Sequence, residues 1–250
     1  MKALITGASS GIGVKLAERL AARGYETWVA ARRKDALDQV VAAIGGQGGR
    51  AHAFVLDVSQ PERAEEQVAE LDREVGGFDL VVANAGIGES AISVSELTLA
   101  TARRILETNL MGALATILPP MRSMVARGSG HIVGVSSLAA EIAMPVAAAY
   151  GTSKAALSFF LASAALDLEP RGVAVTDVHP GFVRTPLTAK NAFKMPFMVE
   201  ADKAAKIIDR GIQKKKRIVR FPFALTSAIS GSSLLPYGLR SAIMNKNRPH

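Results

Sequence analysis

The stretch KALITGASSGIG, residues 2–13, indicates the fold of this chain. Its first five residues form a short apolar run that is typical of a buried parallel strand, and a helical pattern follows from residue 11. Between them, Gly7 permits a tight turn, while Gly11 and Gly13 let the loop and the helix approach closely. Exposed amides at the start of such a helix favour a pyrophosphate. The position of the glycines between a strand and a helix therefore predicts a nucleotide site.

The loop also contains Ser9, Ser10 and Ile12, which we include in the predicted site. Its spacing is G-x-x-x-G-x-G, whereas most dinucleotide-binding folds have G-x-G-x-x-G. A glycine-rich turn that binds no ligand is the alternative interpretation.

The alternation of short apolar runs with amphipathic ones continues along the chain. It predicts a doubly wound α/β fold, a parallel sheet with helices on both faces, in one domain of residues 1–250. The predicted strands are 2–6, 26–31, 51–56, 79–83, 131–136, 173–178 and 217–220. The predicted helices are 11–23, 34–44, 61–75, 100–126, 149–168 and 200–213.

The composition narrows the class of protein. Of the 250 residues 49% are hydrophobic, which disfavours disorder. The absence of cysteine excludes disulfides and thiolate chemistry and is compatible with a reducing compartment. The four histidines lack metal-ligand spacing, so no metal is expected. Neither a signal peptide nor an apolar run of about 18–20 residues is evident, so we expect a cytoplasmic protein.

The second predicted strand ends in Ala31, Arg32 and Arg33. An acidic side chain at this point would bind an adenosine ribose, whereas a guanidinium can pair with a 2′-phosphate. The sequence therefore predicts NADP(H) in preference to NAD(H). Two arginines on a solvated loop are the alternative.

Two further strand ends carry candidate ligand contacts. Asp57 and Val58 follow the third strand, and Asn84-Ala85-Gly86 follows the fourth. In a parallel sheet these ends line the ligand crevice, so Asp57 could accept from an adenine amino group and the NAG turn could pass the adenosine ribose. Each segment alone is more often a simple turn.

The segment AAYGTSKAAL places Tyr150 and Lys154 one helical turn apart, on one face of the predicted helix 149–168. A free tyrosine titrates near 10, so acid/base work near pH 7 asks for a pKa lower by about 3, or about 4 kcal/mol. The neighbouring ammonium would stabilise the phenolate. A packed tyrosine beside a solvated lysine is the alternative for an isolated Y-x-x-x-K.

Together, the glycine loop, the NAG turn and Y-x-x-x-K resemble the single-domain short-chain dehydrogenases/reductases, over residues 3 to about 190. The resemblance implies a Rossmann-type fold with Tyr150 as proton donor or acceptor and Lys154 on the nicotinamide ribose. It implies that Ser137, thirteen residues before the tyrosine, polarises the carbonyl, and that Asn109 supports a water that connects the lysine to solvent. Ser136 is expected to point away, because adjacent strand residues face opposite sides.

The segment HPGFVRTP also matches the family. By resemblance, Pro180 and Gly181 pass under the nicotinamide, the Val183 backbone meets its carboxamide, and Thr185 binds the amide or phosphate. Residues 185–199 should then form a mobile substrate lid, whose apolar composition favours an apolar substrate. An apolar lid that packs on its own domain is equally compatible with this composition.

The expected activity is hydride transfer between NADP(H) and a small carbonyl or secondary alcohol. An NADP-binding sensor without turnover and a membrane-surface interaction protein are the alternatives. The resemblance also implies a homodimer or homotetramer.

The basic segment 214–250 accounts for much of the net charge of +8, and residues 201–250 hold eleven Lys or Arg against two Asp. Peripheral membrane contact is one interpretation. The favoured one is an edge strand at 217–220, followed by residues that cover the pocket or a neighbouring subunit. No nucleic-acid partner is expected.

Overall fold

The computed structural model describes residues 1–88, 92–190, 195–233 and Gly238. Its main sheet has seven strands in the order β3-β2-β1-β4-β5-β6-β9, with all neighbouring strands parallel. The strands of this sheet are β1 Lys2–Thr6, β2 Glu26–Ala31, β3 Arg50–Val55, β4 Leu80–Ala83, β5 Gly130–Val135, β6 Val173–Pro180 and β9 Ile218–Phe221. The predicted doubly wound α/β fold is confirmed.

Helices cover both faces of the sheet. Adjacent strand residues point to opposite faces, so Ile5 joins the core under the first set of helices and Leu4 joins the core under the second. The first set is α1 Gly11–Ala22, α2 Lys34–Gly46 and α7 Ala201–Gln213, and the second is α3 Pro61–Glu74, α5 Gly112–Arg127 and α6 Ala148–Leu168.

The predicted helix 100–126 is not one regular helix. It consists of α4 Leu99–Leu106, a π-helical turn at Glu107–Met111, and α5. Within that turn the buried Asn109 side chain hydrogen-bonds the backbone of Ile87, beyond the end of β4. The π turn places this amide against a neighbouring loop, a tertiary contact that helical periodicity cannot indicate.

Two features of the fold, a pair of short strands and a helix, were not predicted from the sequence. A short parallel pair, β7 Val183–Arg184 and β8 Val199–Glu200, joins the two ends of the predicted lid. Helix α8, Phe223–Ser233, follows β9 and packs Leu225 and Ile229 against the loop after β5. Residues 191–194 of the predicted lid lie outside the described residues.

Residues 214–216 and helix α8, which both belong to the predicted basic segment, lie at opposite ends of β9. The lysines of residues 214–216 precede the strand, where the Lys216 carbonyl accepts from Thr176 Oγ1 at 2.6 Å. Helix α8 follows the strand at its other end, and residues 234–237 and 239–250 lie outside the described part. Among the described helices, none is both long and apolar enough to cross a membrane.

Candidate active site

A cleft of about 670 Å³ lies at the carboxyl ends of the strands. Because all strands of the main sheet are parallel, their carboxyl ends meet at this one edge. Nearly all of the predicted site residues line the cleft: Gly7, Ser9, Ser10, Gly11, Ile12, Arg32, Arg33, Asp57, Val58, Asn84, Ala85, Gly86, Ser137, Tyr150, Lys154, Pro180, Gly181, Val183 and Thr185. Gly13 and Asn109 lie behind its wall.

The glycine turn is shaped by close backbone contacts. Gly7 has φ +68°, and a Cβ there would lie 2.8 Å from the Asn84 amide nitrogen and from Ala85 Cα. A Cβ on Gly13 would lie 2.4 Å from the Gly7 carbonyl oxygen. The Asn84 amide donates to the Thr6 and Gly7 carbonyls at 2.9 and 3.3 Å, which holds the turn against the end of β4. Asn84 and Gly13 therefore stabilise the loop from behind.

The start of α1 is suited to an anionic group. Its N-cap, Ser10, makes no side-chain capping hydrogen bond, and the first turn contains no acidic residue. The side of the turn is also closely fitted, because a Cβ on Gly11, whose φ is +59°, would lie 2.9 Å from Thr185 Cγ2. A phosphate placed here would meet backbone amides and the positive end of the helix dipole.

Cations predominate around the cleft. Arg32, Arg33, Arg104 and Lys154 line it, and among the described residues Asp57 is the one carboxylate against them. Both predicted arginines are exposed, and Arg33 donates to the Ser9 carbonyl and hydroxyl at 3.4 and 3.3 Å, which places it over the glycine turn. This charge distribution fits a polyanionic dinucleotide.

Asp57 already has partners within its own turn. Its Oδ1 accepts from the Ser59 amide at 3.0 Å and from the Ser59 hydroxyl at 2.7 Å. The turn fixes the orientation of the carboxylate, so the second oxygen can serve the predicted adenine contact.

Tyr150 and Ser137 meet near the end of β5, away from Arg32 and Arg33 at the end of β2. Ser137 follows β5 in an extended conformation and caps a short 3₁₀ turn by accepting from Ala139 N at 3.1 Å. Burial raises the pKa of the Tyr150 phenol above its usual 10, and hydrogen bonding with Ser137 opposes that rise. The sequence predicted a depressed pKa, but the protein groups alone give the opposite direction.

Lys154 explains this difference. Lys154 is 4% exposed, and its ammonium donates to the Val135 carbonyl at 2.9 Å, while Nζ lies 5.9 Å from the centre of the Tyr150 ring. Burial lowers the pKa of Lys154 from 10.5 to about 8, and the Asp177 carboxylate partly offsets that fall. The ammonium is thus held by the end of β5 and gives the phenol little direct stabilisation.

The two adjacent serines both line the cleft, but their hydroxyls make different contacts. Ser136 is 3% exposed, its hydroxyl donates to the Lys154 carbonyl at 2.9 Å, and it accepts from Ser158 at 2.7 Å. Ser136 therefore fixes α6 to the sheet, and Ser137 faces the phenol.

Asn109 is fully buried and connects two walls of the cleft. Its Oδ1 accepts from Ile87 N at 2.7 Å, and its Nδ2 donates to Ile87 O at 2.9 Å and to Ser153 Oγ at 3.1 Å. A Cβ on Gly86 would lie 3.2 Å from Asn109 Oδ1 and 3.3 Å from Lys154 Nζ. Glycine at this position leaves room beside the ammonium.

A buried polar cluster behind the site was missed from the sequence. His179 contacts the Asp177 and Glu141 carboxylates, one from each ring nitrogen. The spacing Asp177-x-His179 on a strand places both side chains on one face, which is the signal that could have revealed this pair. The contribution of Glu141 comes from a loop and gives no such signal.

Comparison with known proteins agrees with this geometry. A family model described as short chain dehydrogenase matches residues 1–195. This chain therefore belongs to the short-chain dehydrogenase family, whose members are oxidoreductases.

Particular relatives extend the match. The chain is 41% identical over 246 residues to a protein of Myxococcus xanthus described as an uncharacterized oxidoreductase, covering 98% of this chain and 97% of that one. It is 35% identical over 204 residues to cis-4-hydroxycyclohexanecarboxylate dehydrogenase of Sinomonas cyclohexanicum, covering 82% and 80% of the two chains. The structure resembles a short-chain dehydrogenase from Sphingobium yanoikuyae in complex with NADPH, with TM-score 0.81, 26% identity and coverage of 94% and 96%.

Proposed function

We propose that this protein is an NADP(H)-dependent oxidoreductase that interconverts a carbonyl and a secondary alcohol on a largely apolar substrate. The observation that carries this proposal is the convergence of Ser137, Tyr150 and Lys154 in the cleft that also holds the glycine turn and two arginines. A binding module needs the glycine turn and the cations. It does not need a phenol and a hydroxyl together at the nicotinamide end.

The bound nicotinamide would supply the hydride, and its oxidised ring would add positive charge near the phenol. The residues present fit that group, since the backbone of the glycine turn and the start of α1 would hold the pyrophosphate. Pro180 and Gly181 would support the nicotinamide from below, Val183 would meet its carboxamide and Thr185 would bind the amide or phosphate.

Tyr150 would then supply the proton to the carbonyl oxygen during reduction. A phenol whose pKa is raised by burial stays protonated near neutral pH, as a proton donor must. Ser137 would hold the same oxygen by a hydrogen bond. Lys154 and Asn109 would support the return of a proton to Tyr150 from solvent.

The substrate end of the cleft is apolar. Leu187 lines it beside Gly88, and Leu225 of α8 lies against Gly181, as shown by the 2.8 Å separation between a Cβ placed on Gly181 and Leu225 Cδ2. Leu138 packs with Leu225 behind the Pro180–Gly181 turn, so this side of the turn is apolar. These surfaces favour an aliphatic or alicyclic substrate over a charged one.

The preference for NADP(H) rests on Arg32 and Arg33 at the end of β2, where no carboxylate is present to bind the ribose hydroxyls. The NADPH complex of the Sphingobium yanoikuyae relative supports this assignment. A cytoplasmic location and a homodimer or homotetramer belong to the same proposal.

The test is NADPH oxidation at 340 nm with cyclic and medium-chain ketones, aldehydes and 3-oxoacyl thioesters, and NADP⁺ reduction with cis-4-hydroxycyclohexanecarboxylate. We expect turnover in the wild type and its loss in Tyr150→Phe, with NADPH binding retained. A Phe variant with near-normal turnover would refute the role of Tyr150. NADPH binding without turnover across the panel would favour the sensor alternative.

A further inference from the structure

The cluster behind the site contains a histidine held between two carboxylates. His179 Nδ1 lies 2.5 Å from Glu141 Oε1, and its Nε2 lies 2.7 Å from Asp177 Oδ2 and 3.3 Å from the Ser158 hydroxyl. His179 and Asp177 are buried, and the Glu141 side chain is 18% exposed. Nothing in the proposed proton transfer uses this group directly.

The geometry indicates how many protons the ring carries. A neutral imidazole has one N–H donor, and its other nitrogen presents a lone pair. An ionised carboxylate can only accept hydrogen bonds. With both carboxylates ionised, the two contacts are therefore attractive only when each ring nitrogen carries a proton. The other oxygen of Asp177 is buried without a hydrogen-bond partner among the described residues, so this carboxylate relies on His179 and the nearby Lys154 ammonium for compensation.

Groups from two further elements surround the cluster. Arg220 of β9 donates from Nε to Glu141 Oε1 at 2.5 Å, so this oxygen is shared by two side chains. Burial lowers the pKa of Lys154 of α6, and the nearby Asp177 carboxylate partly offsets that fall. Ser158, also on α6, connects His179 to the hydroxyl of Ser136.

The cluster joins the two parts of the site that must align for catalysis. Glu141 follows the 3₁₀ turn that Ser137 caps, and His179 immediately precedes the Pro180–Gly181 turn. Arg220 pairs with His179 across the sheet and adds β9 to the same group. His179 therefore helps to set the distance between the Ser137 hydroxyl and the Pro180–Gly181 turn.

We propose that His179, as an imidazolium held between Asp177 and Glu141, is a positioning residue that fixes the Ser137 loop against the Pro180–Gly181 turn. The positioning role rests on the proposed function, whereas the doubly protonated ring does not. His131 is the matched control: it is equally buried in the neighbouring strand, but lies at the other end of the sheet, where Nε2 contacts Thr176 Oγ1 at 2.8 Å.

The first experiment observes the ring itself. Long-range ¹H–¹⁵N spectra of ¹⁵N-histidine-labelled, full-length protein between pH 6 and 8 report the proton count of each ring, with signals assigned from His179→Gln and His131→Gln. We expect both nitrogens of His179 to be protonated and His131 to be neutral, because burial lowers the pKa of His131 to about 4. A neutral His179 ring across this range would overturn the proposal.

The second experiment compares the two variants. We expect kcat to fall about 10- to 100-fold in His179→Gln at nearly unchanged NADPH affinity, since small displacements of reacting groups cost this much. His131→Gln should lose stability with little loss of kcat. Equal loss of kcat in both, or normal kcat in a folded His179→Gln protein, would refute positioning.

A third measurement needs no substrate. The amides of Ala140 and Glu141 bond the Ser137 and Leu138 carbonyls at 3.0 and 3.1 Å, so their hydrogen exchange reports the loop conformation. We expect faster exchange in His179→Gln but not in His131→Gln. Unchanged exchange would refute the clamp, that is, the fixing of the Ser137 loop by His179. Should His179→Gln fail to fold, Glu141→Gln releases the loop and retains the Asp177 contact. If the wild type shows no turnover, the proposed function fails, and exchange still tests the clamp.

Discussion

Replacing Lys154 with methionine tests whether the site keeps a charged lysine at a cost to stability. The ammonium is buried and its pKa falls from 10.5 to about 8. Each pKa unit corresponds to about 1.4 kcal/mol, so charging this lysine disfavours the folded state by about 3 kcal/mol at pH 7. Because the folded pKa is the lower one, this cost is absent above pH 10.5, where the lysine is neutral in both states. The cost grows as the pH falls below 10.5 and is complete below about 8.

The variant also removes the donor to the Val135 carbonyl, which costs about 1–3 kcal/mol at every pH. The pH dependence is therefore more informative than the stability at one pH. Relative to the wild type, Lys154→Met should become more stable by about 2–3 kcal/mol on going from pH 10 to pH 7.

Urea unfolding of both proteins without cofactor, at pH 7, 8, 9 and 10, measures this difference. Subtracting the two curves cancels the other lysines and tyrosines, which are common to both proteins. A difference that stays constant across this range would show that Lys154 keeps its ordinary pKa and would refute the argument from burial.

Three further predictions concern separate features of the chain. His131, buried with its pKa lowered to about 4, should contribute about 3 kcal/mol of stability that is present above pH 6.5 and lost as the pH falls to about 4. Urea unfolding should show that His131→Gln loses less stability than the wild type over this pH range. Equal losses of stability would contradict this prediction. Arg32→Ala should weaken NADPH binding about 10- to 100-fold, with little effect on NADH; fluorescence titration measures both, and Lys34→Ala is the control, since Lys34 is an exposed cation two residues on that pairs with Asp38. Gly13→Ala should destabilise the protein by about 2 kcal/mol or more even without cofactor, because its Cβ would lie 2.4 Å from the Gly7 carbonyl oxygen; an unchanged urea midpoint would refute the structural role of that glycine.

The sheet could be predicted because each strand carries its own local signal. Strand β1 is an apolar run bounded by a glycine turn, and all six later strands of the main sheet were predicted to within two residues at each end. Helix α6 was predicted equally well, because Leu157 and Leu161 recur at helical spacing and Pro170 stops the helix.

Other features depend on contacts between distant parts of the chain. Helix α8 contains Gly231 and follows Pro222, which obscured its helical pattern; it is stabilised by packing on Leu138 and Ile142. The direction of the Tyr150 pKa shift was also outside sequence reasoning. It depends on burial and on the Lys154 ammonium bonding a carbonyl of β5, neither of which spacing along a helix can indicate.

The π-helical turn at Glu107–Met111 makes the length of this segment part of the active-site design. In a regular α-helix each residue turns the chain by about 100°. A π-helical turn accommodates one extra residue, so deleting a residue from it would restore regular winding with α4 and α5 still in phase. The deletion would, however, remove the widened turn from which Asn109 reaches the Ile87 backbone. Any sequence that replaces residues 107–111 must therefore keep the length of the segment as well as Asn109, the residue in it that we assign to the site.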